Sequence, residues 1–248
     1  MSKVLVTIPA HNEEKFLYRG VYEVRNLCSR SLSDFELLVA EDGSKDGTPR
    51  ILEEIGRSFE KVSIISRSEK MGRGGAISEA WLTNEADVYV FVDADLAPDI
   101  NQIPRFVELI NGGYDLVTGS RYLPGSRVKR PILRYIASRY YNLMIRLLFR
   151  DGIYDHQCGL KAFSSHLIRS ILRQCSSRDW FWDTEILVLA RKNGLRIMEV
   201  PIRWIEPRGK YTPVKRLIKD SIIHGMGIAK LFYRIHLARG LAIRDARS

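Results

Sequence analysis

The first 120 residues alternate between two hydrophobic patterns, and this alternation constrains the fold more than any other feature. Short apolar runs have the length and composition of buried strands. They lie at positions 4–8, 35–40, 62–65, 88–92 and 116–118. Segments with helical periodicity lie between them, at about 13–28, 48–59, 74–82 and 100–111. Alternating strands and helices predict an α/β fold, with a mostly parallel sheet and helices on both faces.

After residue 120 the pattern becomes mainly helical. We expect an amphipathic helix with a cationic face over 131–150 and shorter helices over 165–174 and 183–193. Residues 197–204 alternate like a strand, and Pro201 suggests an edge or a bulge. Since no linker interrupts this order, residues 1–212 are predicted to form one domain. Residues 213–248 are predicted to add a basic amphipathic helix.

The charge of the chain is concentrated in two segments. The net charge is +10, yet residues 121–150 hold eight Lys and Arg and no Asp or Glu. Residues 208–248 hold ten Lys and Arg against two Asp, so the remainder of the chain is net acidic. This pattern predicts an anionic partner at a defined face, such as a phospholipid surface, a phosphorylated substrate or nucleic acid.

Other features narrow the class of protein. Three cysteines without CxxC spacing argue against a disulfide framework or a structural zinc site, and favour a reducing compartment. We see no signal peptide. The most apolar stretch, 131–149, contains three arginines, so we predict no transmembrane segment.

Asp93 and Asp95 follow the apolar run at 88–92 directly. Ligands of open α/β sheets bind at the carboxyl ends of the strands. Mg²⁺ is usually held by one or two carboxylates together with substrate phosphates. The pair therefore indicates a site for a metal and a diphosphate, although a strand-ending Asp also caps the next helix in many proteins.

Three further segments follow strands or open helices. They are Pro9-Ala10-His11-Asn12-Glu13, Glu41-Asp42-Gly43-Ser44 and Lys70-Met71-Gly72-Arg73-Gly74-Gly75. The third is suited to anions, because glycine-rich backbone at a helix N-terminus presents N–H groups beside two cations. It lacks P-loop spacing, and GxGxxG is absent after the first strand, so a dinucleotide cofactor is not expected.

The order of these motifs, PAHNE, EDGSKDGT, GRGGA and DADL, resembles that of the family 2 glycosyltransferases. The second half resembles the dolichyl- and polyprenyl-phosphate hexosyltransferases. The motifs that carry this likeness are GSRY at 119–122, Arg134 with Ser138 and Arg139, DHQCGLKAF at 155–163, WDTEIL at 182–187, EVPIRW at 199–204 and RGK at 208–210. The resemblance covers about residues 3–220. It implies a GT-A type nucleotide-diphospho-sugar transferase fold, with the nucleotide-sugar half over 1–120 and the acceptor half over 121–212.

The resemblance also implies roles for individual residues. Those that line the nucleotide pocket or contact the base are Pro9, Ala10, Asn12, Glu13 and Asp42. Arg73 lies near the donor, and Asp93 and Asp95 hold Mg²⁺ or Mn²⁺ with the diphosphate. Those that receive the lipid phosphate are Arg121, Arg134 and Ser138. Arg208 and Lys210 cover the donor phosphates.

One position departs from the pattern. The mannose-type enzymes often carry Gln two residues after the second Asp, where this chain has Ala97. This leaves the third protein ligand of the metal open.

The implied reaction transfers mannose or glucose from GDP-mannose or UDP-glucose to dolichyl or polyprenyl phosphate. Because a phosphate acceptor is already ionised, it needs no general base, whereas a sugar-hydroxyl acceptor does. The candidate bases are Asp183, Glu185 and Asp155, and Asp183 could instead cap a helix.

The charge pattern and the lipid acceptor together imply a peripheral protein on the cytoplasmic face of a membrane. Its basic helices would dock on anionic lipid. Whether a partner subunit supplies further anchoring stays open. The alternatives are a family 2 enzyme that acts on a glycan hydroxyl, a basic nucleic-acid-binding protein and, less favoured, a sugar nucleotidyltransferase. We expect no nucleic-acid partner, because the charged segments show no RRM-like or helix-turn-helix pattern.

Overall fold

The computed structural model of the chain describes residues 2–207 and 214–238. Its centre is a seven-stranded sheet in the order β3-β2-β1-β4-β7-β5-β8. Strand β7 is antiparallel to both neighbours, and the other strands run in one direction. The strands are β1 Val4–Ala10, β2 Phe35–Glu41, β3 Val62–Ile65, β4 Val88–Val92, β5 Leu116–Ser120, β7 Leu160–Ser164 and β8 Ile197–Pro201. A separate parallel pair joins β6 Arg127–Lys129 to β9 Arg203–Ile205.

Helices cover both faces of this sheet. They are α1 Leu17–Ser31, α2 Thr48–Ser58, α3 Arg73–Thr83, α4 Ile103–Asn111, α5 Ile132–Phe149, α6 Ser165–Ile171, α7 Trp182–Lys192 and α8 Val214–Phe232. Short 3-10 turns span Ile100–Gln102 and Leu172–Gln174, and a π-helical segment, Tyr233–Ala238, follows α8. Among the described residues, no helix is both long enough and apolar enough to cross a bilayer.

The strands of the seven-stranded sheet contribute side chains to two hydrophobic cores, because successive side chains point to opposite faces of a sheet. In β4, Val88, Val90 and Val92 pack with α1, α2 and α4. Tyr89 and Phe91 point the other way, into the core formed with α3, α5, α6, α7 and α8. Burial on both faces explains why the strand sequences are continuous apolar runs and do not alternate.

An aromatic cluster in the second core fixes α3 and α7 against the centre of the sheet. Trp81 of α3 lies 5.0 Å from Phe163 of β7 and 5.9 Å from Trp182 of α7, measured between ring centroids. The Trp81 Nε1–H donates to the Thr7 hydroxyl at 2.9 Å, which satisfies its buried polar atom. This packing fixes both helices on the sheet, and their first turns carry Arg73 and Asp183.

The expected α/β architecture is confirmed, and the five N-terminal strands agree with the sequence to within two residues. Helix α1 begins at Leu17 rather than at 13, because residues 13–16 form a turn closed by the Glu13 carbonyl. Two strands were not predicted, β6 and β7. The strand predicted over 197–204 is divided at Ile202, so that β8 extends the main sheet while β9 pairs with β6.

Candidate active site

Strand β4 brings Asp93 and Asp95 to the carboxyl edge of the sheet. The Asp93 N–H donates to the Gly159 carbonyl at 3.0 Å, in the segment that leads into β7. A Cβ on residue 159 would collide with the Asp93 carboxylate, so this close approach requires glycine. Because β7 is antiparallel to β4, its first residues lie at the same edge as the end of β4.

Arg73, in the first turn of α3, bridges two carboxylates. Its Nη2 donates to Asp93 Oδ1 at 2.7 Å, and its Nη1 donates to Asp183 Oδ2 at 2.6 Å. The guanidinium also lies over the rings of Phe91 and Trp180, 4.6 and 4.8 Å from their centroids. Arg73 and Asp183 therefore form one site with the end of β4, although they are 110 positions apart in the chain.

Lys161 joins this network from the interior of the protein. It is fully buried, and its Nζ donates to Asp183 Oδ1 at 2.8 Å and to the Cys158 carbonyl at 2.6 Å. Lysine is almost never fully buried unless it is paired. The sequence analysis did not identify Lys161 as a site residue. The available signal was a lysine within the otherwise apolar run 160–163.

The electrostatics of this cluster favour an added cation. Burial raises the pKa of Asp93, and repulsion from Asp95 and Asp183 adds to this, against the attraction of Arg73. Three carboxylates thus face two cations, Arg73 and Lys161. A bound divalent ion would offset the excess negative charge, because opposite charges favour the ionised form of a carboxyl group.

The carboxylates at this edge fit a metal that is partly held by its substrate. Asp95 Oδ1 accepts a hydrogen bond from the Ala97 N–H at 3.0 Å, and Ala97 is buried. Among the described residues, no group of three or more His, Cys, Asp or Glu could hold a metal ion. Two carboxylates with diphosphate and water oxygens nevertheless match the coordination that Mg²⁺ prefers.

The loops after β1 and β2 are hydrogen-bonded to each other. Asn12 has a positive φ of 56°, its N–H donates to the Ser44 hydroxyl at 3.0 Å, and its Oδ1 accepts from the Lys45 N–H at 2.8 Å. The Glu13 N–H donates to the Thr48 hydroxyl at 2.9 Å. Pro9 and Ala10 lie just before these contacts. Both are buried and pair with the last two residues of β2.

Asp42 joins this pair of loops to the start of α3. Its buried carboxylate accepts from the Met71 N–H at 2.6 Å and from the Gly72 N–H at 2.8 Å. Its own carbonyl lies 2.7 Å from His11 Nδ1. The residues assigned to the nucleotide pocket and to the donor therefore form one continuous rim at the carboxyl edge.

The glycines at the start of α3 serve packing rather than the open anion cradle that the sequence suggested. A Cβ on Gly72 would collide with the Arg178 carbonyl, and a Cβ on Gly74 would collide with Trp182. The Gly75 N–H donates to the same Arg178 carbonyl at 2.9 Å. This backbone donor is therefore engaged by the segment before α7, and the start of α3 reaches the carboxylates through the side chain of Arg73.

Arg121 follows β5 and is buried in a two-point ion pair. Its Nε and Nη2 each donate to Asp155 at 2.7 Å, and its backbone N–H donates to the same carboxylate. Burial would lower the pKa of Arg121, but Asp155 more than offsets this and raises it. The guanidinium lies 4.8 Å from the Trp204 ring centroid. The predicted phosphate-binding arginine is thus held by an internal carboxylate.

Arg134 and Ser138 lie on α5 beside a further arginine, Arg130. The Ser138 hydroxyl is 2.5 Å from the Tyr122 hydroxyl and accepts from Arg130 Nη1 at 3.2 Å. Arg134 Nη1 lies 2.8 Å from Glu206 Oε1. Two of the predicted acceptor residues, Arg134 and Ser138, therefore lie in one cluster with Arg130 and Glu206. We call this cluster the arginine pocket. Sequence reasoning missed Arg130.

Glu185 lies on α7 but its contacts differ from those of Asp183. Its carboxylate accepts from the Ser176 and Ser177 N–H groups, and Arg234 Nη2 lies 2.6 Å away. These donors lower the pKa of Glu185 against the effect of burial. The carboxylate thereby ties α7 to the residues that precede it and to the segment after α8. Arg208 and Lys210 lie outside the described residues.

The outer surface of α5 is apolar. The large apolar side chains that α5 exposes are Ile132, Leu133, Ile136, Tyr140, Leu143, Leu147 and Leu148. Helix α8 contacts α5 and exposes Ile222 and Met226. We call this combined surface the apolar face. Large exposed apolar patches are typical of surfaces that bind a partner or a membrane.

The sequence profile of the family described as "Glycosyl transferase family 2" matches residues 5–172. The chain belongs to this family. It is therefore a glycosyltransferase, and the alternatives of a nucleic-acid-binding protein and a nucleotidyltransferase give way to it.

Curated relatives extend the match over almost the whole chain. Glycosyltransferase AglD of Haloferax volcanii is 37% identical over 236 residues, which are 94% of this chain and 37% of AglD. The chain thus spans little more than a third of that relative. A dolichyl-phosphate beta-glucosyltransferase of Trichomonas vaginalis is 30% identical, covering 97% of this chain and 76% of that protein. A polyprenol monophosphomannose synthase of Mycolicibacterium smegmatis is 30% identical, covering 82% and 78%.

Solved structures show the fold. Glucosyl-3-phosphoglycerate synthase from Mycobacterium tuberculosis, in complex with Mn²⁺, UDP and glucosyl-3-phosphoglycerate, matches with a TM-score of 0.72 at 20% identity. The match covers 93% of this chain and 80% of the synthase. The mostly parallel sheet with helices on both faces is the GT-A fold, as the sequence motifs implied.

Proposed function

We propose that this glycosyltransferase moves a hexose from a nucleotide diphosphate sugar to the phosphate of a dolichyl or polyprenyl phosphate. Asp93 and Asp95 hold Mg²⁺ or Mn²⁺ in this reaction. The donor is GDP-mannose or UDP-glucose. Curated relatives carry names of both sugar types, a dolichyl-phosphate beta-glucosyltransferase and a polyprenol monophosphomannose synthase, so the proposal leaves the sugar open.

One observation carries the choice of a phosphate acceptor: the candidate general bases are all engaged. Asp183 accepts from Arg73 and from Lys161, one cation at each oxygen. Asp155 is held by Arg121, and Glu185 by two backbone N–H groups and a cation. A hydroxyl acceptor needs a carboxylate that takes its proton, whereas an ionised phosphate attacks without one.

The donor side of the site fits the loss of a nucleoside diphosphate. Negative charge grows on the diphosphate as the glycosidic bond breaks, and a metal bound there would stabilise that charge. Asp93 and Asp95 position this ion at the end of β4. Arg73 lies 2.7 Å from Asp93 and adds a fixed positive charge at the same edge. The loops after β1 and β2 form the rim that receives the nucleotide.

The acceptor side is the arginine pocket. Arg134 and Ser138 offer a charged donor and a hydroxyl to the attacking phosphate, as Arg–phosphate pairs do elsewhere. A groove of ≈ 360 Å³ adjoins Tyr122 and follows α5 past Leu143 to Tyr154. We assign the first prenyl units of the acceptor to this groove, since Tyr122, which contacts Ser138, and Ile136 and Leu143 of the apolar face line it.

The apolar face and the arginines of α5 together fit a membrane surface. An amphipathic helix with apolar and cationic faces lies in the headgroup plane of a bilayer. Each Lys or Arg near an anionic leaflet contributes roughly 1 kcal/mol to binding. The protein would therefore dock peripherally, on the cytoplasmic face, and take up its acceptor from the bilayer. Further anchoring by a partner subunit is compatible with this arrangement.

The experiment is a matrix of nucleotide sugars against polyprenyl phosphate with Mg²⁺, Mn²⁺ or a chelator. We expect one nucleotide sugar to give a glycosyl-phosphoryl-polyprenol product with metal present and none with chelator. Transfer to a free glycan hydroxyl, with no transfer to polyprenyl phosphate, would show that the enzyme belongs to the hydroxyl-acceptor class instead.

A further inference from the structure

The arginine pocket contains its own anion. Glu206 follows β9, and its N–H donates to the Lys129 carbonyl at 3.0 Å, which extends the β6–β9 pairing and fixes its position. Its Oε1 lies 2.8 Å from Arg134 Nη1 and 3.8 Å from Arg130 Nη2. The Glu206 side chain is 12% exposed, so this carboxylate lies inside the pocket.

Glu206 pairs more closely with Arg134 than with Arg130. Arg130 is nine-tenths buried, and its Nε meets no hydrogen-bond acceptor in the described part of the chain. Burial lowers the pKa of Arg130, and repulsion from Arg121 and Arg134 adds to this against the attraction of Glu206. The 3.8 Å separation from Glu206 is also too long for a good hydrogen bond.

A phosphate monoester suits this pocket better than a carboxylate does. It carries about −1.5 to −2 charge at pH 7 and three strong acceptor oxygens. Those oxygens can bond Arg130, Arg134 and the Ser138 hydroxyl together, whereas Glu206 bonds Arg134 closely and Arg130 weakly. Arginine also pairs with phosphate through two parallel hydrogen bonds.

We propose that Glu206 is an internal counter-ion of the arginine pocket, and that the acceptor phosphate displaces it to bind Arg130 and Arg134. This inference rests on the proposed function, since it takes the acceptor to be a phosphorylated lipid. Glu206 reduces the repulsion between the two arginines and holds them in place before the acceptor arrives. It also selects against weakly charged ligands, because a ligand must compete with a carboxylate that is already bound.

The test replaces Glu206 with Gln, which keeps the length of the side chain and removes its charge. Calorimetry with farnesyl phosphate in detergent measures binding without a nucleotide sugar. We expect Glu206→Gln to bind this probe about five-fold more tightly than wild type, the effect of one partly exposed ion pair. Arg130→Ala should weaken binding of the probe and remove most of the gain when combined with Glu206→Gln.

Two controls separate the outcomes. Glu53→Gln removes one charge from the exposed surface of α2 and should leave binding of the probe unchanged. Nucleotide-sugar binding should also be the same in wild type and Glu206→Gln. If Glu206→Gln binds farnesyl phosphate as wild type does or more weakly, Glu206 is a structural partner of the arginines and the inference is wrong. Failure of wild type to glycosylate any polyprenyl phosphate would instead overturn the proposed function, whatever the variant does.

Discussion

Asp95 provides the most direct test of the metal site at the scale of a single residue. We expect Asp95→Asn to lower the transfer rate by two to three orders of magnitude, since loss of one charge-stabilising contact costs about 3–4 kcal/mol of barrier. The fold should be unchanged, because the Asn side chain can still accept from the Ala97 N–H. Steady-state transfer assays at saturating Mn²⁺ measure the rate.

Asp99→Asn is the matched control for this prediction. Asp99 lies four residues further along and accepts from the Asn101 N–H in the 3-10 turn, an interaction that Asn also makes. Its transfer rate should stay within a few-fold of wild type. Near-normal turnover by Asp95→Asn would show that Asp95 does not hold the metal.

The sequence predicted which residues belong to the site, but it did not predict how they bond to one another. Asp93, Asp183 and Arg73 were each identified from a motif, but their bonding through one guanidinium depends on the packing of α3 against α7. Lys161 was not predicted as a site residue, because a lysine in an apolar segment argues against a buried strand until its partner is known. For the same reason β7 was not predicted, since Lys161 interrupts its apolar run.

Helix α8 packs through Gly227 against Phe181, the residue that immediately precedes α7. A Cβ on Gly227 would collide with the Phe181 ring, whereas a Cβ on Gly225 would meet open space. We expect Gly227→Ala to destabilise the protein and to detach α8, as overpacking costs about 1–3 kcal/mol. Gly225→Ala should be neutral or stabilising by roughly 0.5–1 kcal/mol, because alanine favours a helix.

Urea denaturation and hydrogen exchange of the amides of α8 measure these effects. Faster exchange in Gly227→Ala alone is the expected result. Equal stability and equal exchange in the two variants would mean that α8 does not dock on Phe181 in solution.

The apolar face of α5 and α8 can be tested by its binding to lipid. We expect the double substitution Leu133→Gln and Ile136→Gln to weaken binding to anionic vesicles, because both side chains are more than half exposed on α5. Leu82→Gln is the matched control, since Leu82 is also exposed but lies on α3. Co-sedimentation with vesicles over a range of salt concentrations measures binding. Unchanged binding by the double variant would show that α5 does not contact the lipid.

The aromatic residues of α5 and α8 show why such faces are hard to assign from sequence. Tyr140 and Tyr233 are exposed. The Tyr141 hydroxyl instead lies 2.7 Å from the Thr184 hydroxyl in the second core, and Phe232 packs against the same core. Successive side chains on a helix point in directions about 100° apart, and the tertiary fold decides which of them is covered.

For the whole molecule, the lowered carboxyl pKa values predict loss of stability in acid. Asp155 and Glu185 have pKa values below the ordinary 3.8 and 4.5, because Arg121 and the donors around Glu185 outweigh burial. A carboxyl group whose folded pKa is lowered contributes stability above its unfolded pKa and loses it as the pH falls through the folded value. We expect the free energy of unfolding to fall steadily below about pH 4.5.

Urea unfolding at several pH values measures this slope. Glu185→Gln should show a shallower decline below pH 4.5 than wild type, since that position no longer titrates. An identical slope would mean that Glu185 is not ionised and paired in the folded protein.

Two lipids that differ only in the phosphate group test whether the acceptor is a phosphate. Wild-type protein, the active nucleotide sugar and Mn²⁺ are incubated with polyprenyl phosphate or with the corresponding free polyprenol. Transfer of labelled hexose is then measured by extraction and mass analysis. We expect a glycosyl-phosphoryl-lipid from the phosphate and no product from the alcohol, because the candidate bases are engaged by cations or backbone donors. Comparable transfer to the alcohol, or transfer to neither lipid while a glycan hydroxyl is glycosylated, would contradict it.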